Sequence, residues 1–181
     1  MTAQTRPSRL SKTDWLRTGL HVLASDGPSA LRAEALARRM KTTKGSFYWH
    51  FADVPAFHAA LIAHWEMAAL AVLVETPQDD TPTGRLRHLA QNLACPGDGA
   101  AAVEPAIRGW SLSEPLAHEA LTRVDAARVS RLEALLRRIG VTNADMAHIL
   151  RATAAGLALS DAPGRGADRM ATLVDLILAL R

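Results

Sequence analysis

Residues 31–51 read LRAEALARRMKTTKGSFYWHF. Ala33, Leu36, Ala37 and Met40 fall at i, i+3, i+4 and i+7, which is one apolar stripe of a short helix over about Ala33 to Met40. Thr43 is a good N-cap, and a second short helix runs from there to near His50. Phe47 and Phe51, again four apart, claim the inward face of this helix. That leaves Thr43, Lys44, Ser46, Tyr48, Trp49 and His50 to face outward or flank the core. A short helix, a tight turn and a short helix rich in hydrogen-bonding side chains form the layout of a helix-turn-helix, whose second helix enters the major groove. Lys44 can serve phosphates or guanine edges, and the hydroxyls of Thr43, Ser46 and Tyr48 serve phosphate oxygens or base edges. His50 fits a phosphate contact. Gly45 leaves room for a close backbone approach, and the free N–H groups at the helix start favour an anion.

The neighbouring sequence is helical on both sides. No stretch alternates with period two. Upstream, Trp15, Leu16, Leu20 and Leu23 share a face of a helix from Lys12 to Ser25, with Ser11 and Asp14 as a capping box and Gly27-Pro28 as its stop. Downstream, Asp53 caps a long helix to about Glu75 with an inward stripe of Phe57, Leu61, Trp65, Ala68 and Val72. A polar loop covers residues 76–84, and a fifth helix spans Arg85 to Ala94. A sixth covers Glu104 to Ser111. Ser113 caps a seventh, with Pro115 in its first turn and Gly140 at its end. Helices eight and nine cover Asn143–Leu159 and Ala167–Leu180. The last is apolar nearly all round (Leu173, Val174, Leu176, Ile177, Leu178, Leu180), and helix eight carries the small pair Ala152 and Gly156. Such surface is usually buried in an oligomer, so both helices point to a dimer interface. The expected fold is all-α: a helix-turn-helix domain over residues 1–52 and a helical bundle over 53–181.

Charge supports this division. Residues 1–52 hold nine Lys/Arg against three Asp/Glu, a net of +6, whereas the remainder holds twelve against fifteen, a net of −3. A basic end on a mildly acidic body suits a polyanionic partner. The 181 residues include one cysteine, Cys95, so no internal disulfide forms, which fits a reducing cytoplasm. The segment MTAQTRPSRL has no apolar core and predicts no secretory signal. No uninterrupted apolar run reaches the roughly 18 residues of a membrane span. His58 and His64, six apart, fall on different sides of a helix, and no Cys/His cluster has zinc spacing. There is no Gly-rich phosphate loop. Neither a catalytic set, a metal nor a cofactor is expected.

The run LARRMKTTKGSFYWHF, and above all the pattern Gly-x-Phe-Tyr-x-His-Phe at residues 45–51, resembles the DNA-binding signature of the TetR (tetracycline-repressor-like) family. The likeness is strongest over about residues 10–62, with VEPAIRGWSLSEP at 103–115 in support. It implies a sequence-specific repressor that binds double-stranded DNA at a near-palindromic operator as a homodimer and answers to a small-molecule effector. Within that pattern Lys44 and Gly45 occupy base-reading positions. Ser46, Tyr48 and His50 hold phosphates, with Trp49 close to both. Arg32 stands where the family often has a hydroxyl on phosphate, and Glu34 stands where some members contact a base. The resemblance also places an effector pocket in the C-terminal helices, for which Trp65, Met67, Arg108, Trp110 and Met146 are the candidates. Two departures stand out. The turn has Lys41-Thr42 where the family usually has glycine and an apolar residue, and Val54 replaces a customary basic residue. Readings outside this family are a non-specific DNA-coating protein and an all-helical enzyme.

Overall fold

A computed structural model describes residues 10–74, 81–95, 103–159 and 165–179. Every regular element among them is helical: α1 (Lys12–Asp26), α2 (Ala33–Arg39), α3 (Lys44–Tyr48), α4 (Val54–Ala71), α5 (Pro82–Ala94), α6 (Val103–Trp110), α7 (Pro115–Arg138), α8 (Asp145–Ala158) and α9 (Gly166–Ala179). Short 3-10 turns lie at Pro28–Ala30 and Val72–Val74. The chain divides into two compact units, residues 1–61 and 62–181, with the division inside α4.

The first unit is organised by aromatic rings. Ser11 and Asp14 cap α1 reciprocally, and Trp15, Leu16, Val22 and Leu23 turn inward. Phe47 of α3 is fully buried and stands edge-on to Trp15 at 5.5 Å and to Phe57 at 5.4 Å. Phe51 closes the group at 5.0 Å from Phe57. Such pairs add roughly 0.5–1.5 kcal/mol each beyond burial. Gly19 is what lets α4 come this close, since a Cβ there would meet Phe57 Cζ at 2.6 Å.

α2 ends in a Schellman motif. Thr42 N–H donates to Ala37 O and Lys41 N–H to Arg38 O. The motif needs a left-handed residue after the C-cap, usually glycine. Lys41 fills that position at φ 53, so the turn keeps its geometry despite lacking glycine. α7 closes with the same two bonds, from Val141 N–H to Leu136 O and Gly140 N–H to Arg137 O, and there the left-handed residue is Gly140 at φ 87.

The second unit packs α5 against α7, α8 and α9. Leu86, Leu89, Leu132, Leu135, Leu150, Met170 and Val174 form its core. Several boundaries differ from the sequence reading. α5 begins at Pro82, three residues early, because Thr81 accepts from Gly84 N–H as N-cap with Pro82 behind it. α7 is capped by Glu114, not Ser113: proline forces its predecessor into extended geometry, and that residue is Glu114 at φ −115, ψ 108. The Ser113 hydroxyl donates instead to Trp110 O. The stripe of α4 also drifts, since Ala68 is exposed, and in the 3-10 turn beyond it Leu73 is buried where Val72 was expected. α9 is not apolar on every open side. Met170, Val174 and Ile177 are buried within the unit, and Leu176 is the large apolar residue left exposed. Leu180, Glu75 and residues 76–80 of the expected polar loop lie outside the described residues.

Val54–Val74 is long and apolar enough, by length and a mean hydropathy of 1.6, to cross a membrane. His58, His64 and Glu66 interrupt it, which is why counting uninterrupted apolar residues passes it over. Its Phe57, Leu61 and Trp65 are buried as core, and Glu66 pairs with Arg123 at 2.6 Å.

Candidate nucleic-acid interface

The aromatic core fixes which way α3 faces. Thr43 caps it, accepting from Ser46 N–H at 3.3 Å. With Phe47 and Phe51 held inside, Lys44, Gly45, Tyr48 and Trp49 are left on the outside, together with Thr43 itself. Trp49 is 78% exposed and Tyr48 46%, large areas for aromatic side chains in so small a unit. Ser46 and His50 are half-buried at the edges of this face. Arg32 is the exposed N-cap residue of α2, and its side chain makes no capping bond. All eight residues expected at the interface therefore belong to the first unit, and none is fully buried. Val54 is half-buried at the start of α4, whose N-cap is closed by Asp53 Oδ1 on Ala56 N–H at 2.7 Å.

One feature of this face was not legible from residue spacing. Lys44 Nζ donates to Glu34 Oε1 at 2.7 Å, joining the start of α3 to the start of α2. The bond holds the Glu34 carboxyl below its usual range and raises the Lys44 ammonium above its own. The two charges are ten residues apart on separate helices, and only the turn geometry brings them together. Arg39 likewise ties α2 to α1 through Asp26 at 2.8 Å. Lys12 Nζ sits 5.5 Å above the Phe51 ring.

The five effector candidates are spread through the second unit. Trp65 and Trp110 are buried, Met67 is exposed, and Met146 packs half-buried on the α5–α9 core. Arg108 belongs to a half-buried ion network. It bonds Glu104 at 2.8 Å and Asp125 at 2.9 Å. Glu104 also takes Arg128 at 2.6 Å, and Asp125 takes Arg151 at 3.1 Å. Burial pushes the Glu104 carboxyl upward, but the bonds and charges of Arg128 and Arg108 outweigh it and hold the group below the ordinary range. Asp125 is lowered by the same balance, with Arg108 as its chief partner. Arg108 borders a space of about 10 Å³ with Leu93, Glu104, Arg128 and Arg151. An open groove of about 370 Å³ lies alongside, lined by Asp125, Ala126, Val129, Ser130, Glu133, His148 and Arg151. No cluster of metal-binding side chains occurs among the described residues.

Residues 16–53, which carry α2, the turn and α3, match the family described as bacterial regulatory proteins, tetR family. No curated protein matches the chain. Similar solved structures include a transcriptional regulator from Rhodococcus sp. Rha1 at 23% identity, covering 94% of this chain and 95% of that one with a TM-score of 0.77. Another is a TetR-family regulator from Rhodococcus sp. at 17% identity, covering 92% and 98% with a TM-score of 0.75. A third, from Saccharomonospora viridis, was solved in complex with choline; it is 18% identical, covers 93% and 95%, and has a TM-score of 0.68. At these identities the likeness carries the fold across the chain, and the family match carries the helix-turn-helix. Residues 16–53 are thus similar to the DNA-binding segment of the tetR family, and the chain as a whole shares the fold of these regulators.

Proposed function

We propose that the chain is a repressor that binds a near-palindromic operator as a homodimer and releases it on binding a small molecule. The observation that carries the reading is the outward face of α3: Lys44, Tyr48 and Trp49 exposed, on a helix whose Phe47 and Phe51 are locked inside. A rigid aromatic core under a surface of donors suits a recognition helix, which must present side chains to base edges without rearranging. Arg32, Ser46, Tyr48 and His50 take phosphates, and Lys44 and Gly45 approach the bases.

Support for the dimer comes from α8. Ile149, Ala152, Gly156 and Leu159 lie on one face and are all exposed. A dimer of this kind would carry two recognition helices, which on a palindrome read half-sites about one DNA turn apart, roughly 34–36 Å. An effector bound in the second unit changes that spacing only if it binds the two arrangements with different affinity. The choline complex of the Saccharomonospora protein and the open groove beside Arg151 support a small-molecule site in this unit.

Selection of bound DNA from a random pool tests the reading. The expected product is a palindrome, lost when Tyr48→Ala is combined with His50→Ala in a chain that still folds. Enrichment of no sequence would leave a DNA-coating protein in its place. A palindrome bound equally well by the folded double variant would remove α3 from the interface.

A further inference from the structure

We propose that Glu34 and Lys44 work as one unit that reads a single base pair in each half-site and selects G·C in one orientation, with guanine under Lys44 and cytosine under Glu34. This rests on the DNA-binding reading above.

The starting point is a carboxylate where it is least expected. Glu34 stands on the outward side of α2, beside the face that would meet a polyanion, and its side chain is 74% exposed. Alone it would be repelled by phosphates. It is not alone: Lys44 Nζ lies 2.7 Å from Oε1, and Lys44 too is more than half exposed. Arg38 adds a second positive charge near Glu34. The pair therefore presents a donor and an acceptor side by side, nearly neutral together.

That arrangement has a counterpart on DNA. Guanine O6 and cytosine N4 are hydrogen-bonded to each other, so they lie about 2.9 Å apart, close to the 2.7 Å between the side-chain atoms. An ammonium has three donors, of which Glu34 uses one, leaving two for guanine O6 and N7. The carboxylate accepts from the cytosine amino group. A T·A pair shows the same order of keto and amino groups, but the thymine methyl stands in place of guanine N7, so one lysine donor is wasted. A·T and C·G reverse the order, setting amino against ammonium and keto against carboxylate. The expected ranking is G·C, then T·A, then the two reversed pairs, with about ten- to a hundredfold separating first from last.

The experiment repeats the selection with the full chain, with Glu34→Gln, with Lys44→Met, and with the exchange Glu34→Lys plus Lys44→Glu. Binding to operators changed at the one position is measured alongside, and melting curves check folding. The wild type is expected to require G·C at one position per half-site. Both single variants should flatten the preference there and keep it elsewhere, and the exchange should favour C·G. Folded variants that select the wild-type sequence with undiminished discrimination would overturn the proposal, leaving Glu34–Lys44 as a tie between two helices and the DNA-binding reading intact. A wild type that selects no sequence would overturn both.

Discussion

Lys41 carries the clearest local strain in the described chain. A left-handed residue with a side chain costs roughly 1–2 kcal/mol relative to its preferred region, and the equivalent turn after α7 avoids this with Gly140. Lys41→Gly should raise the unfolding free energy by about 0.5–1 kcal/mol, the gain being trimmed by the freer unfolded chain. Chemical denaturation measures it, and unchanged or lower stability would mean that Lys41 is held by contacts that offset its conformation. Glu104 is the opposite case, a residue whose removal leaves Arg128 only a longer 3.4 Å contact with Asp125. Arg128 is buried, with only 8% of its side chain exposed, and donates its closest bonds to Glu104. Glu104→Ala should therefore cost about 3–5 kcal/mol. Because the folded-state pKa of Glu104 is lowered, its stabilisation is complete above the unfolded value and is lost as pH falls through the carboxylate range towards the folded one. The wild type should lose stability below about pH 4.5, and the variant should lose less over that interval. Parallel slopes would assign the acid sensitivity to other groups. At this scale the candidate interface was largely legible, because the four-residue step from Phe47 to Phe51 settles which side of α3 is buried. The bond from Lys44 to Glu34 was not, since periodicity within one helix carries no information about a flexible side chain reaching another.

Among the elements, the legible ones were those whose ends are set by neighbouring residues. Ser11 with Asp14 starts α1, and Thr43 starts α3, as their spacing suggests. The starts of α5 and α7 were misplaced because proline at the first helical position fixes its predecessor as the cap, whatever the capping strength of nearby serines or threonines. For α9 the sequence shows a wide apolar surface without showing what covers it. An apolar helix that packs on both α5 and α8 buries more than one face inside its own chain, so a wide apolar surface need not await a partner. An exposed apolar face lies on α8, the other helix expected at the interface, where nothing stands within 4 Å of a Cβ built on Gly156. Gly156→Arg should accordingly leave the single chain folded, and even favour helix by up to about 1 kcal/mol. It should also drive the dimer to monomer in sedimentation and weaken operator binding with it. A variant that remains dimeric would place the contact on another face.

Across the whole molecule, the net charge changes sign, with a first unit net positive and a second slightly negative, which suits the proposed DNA contact by the first. The positive unit is also where the chain's optical properties separate. Of the chain's four tryptophans, Trp15, Trp65 and Trp110 are buried, whereas Trp49 lies 78% open on the outer side of α3. Three emitters are thus shielded and one meets water. Iodide, which quenches by collision, should reach Trp49 and leave the others largely untouched, and Trp49→Phe should abolish most of that quenching. Adding operator should protect the same fraction, turning the native fluorescence into a label-free gauge of DNA occupancy. Quenching indifferent to operator would put Trp49 outside the contact. Because the signal comes from a single residue of the proposed interface, the same titration run with candidate small molecules would report release from DNA directly, with no dye and no change to the chain.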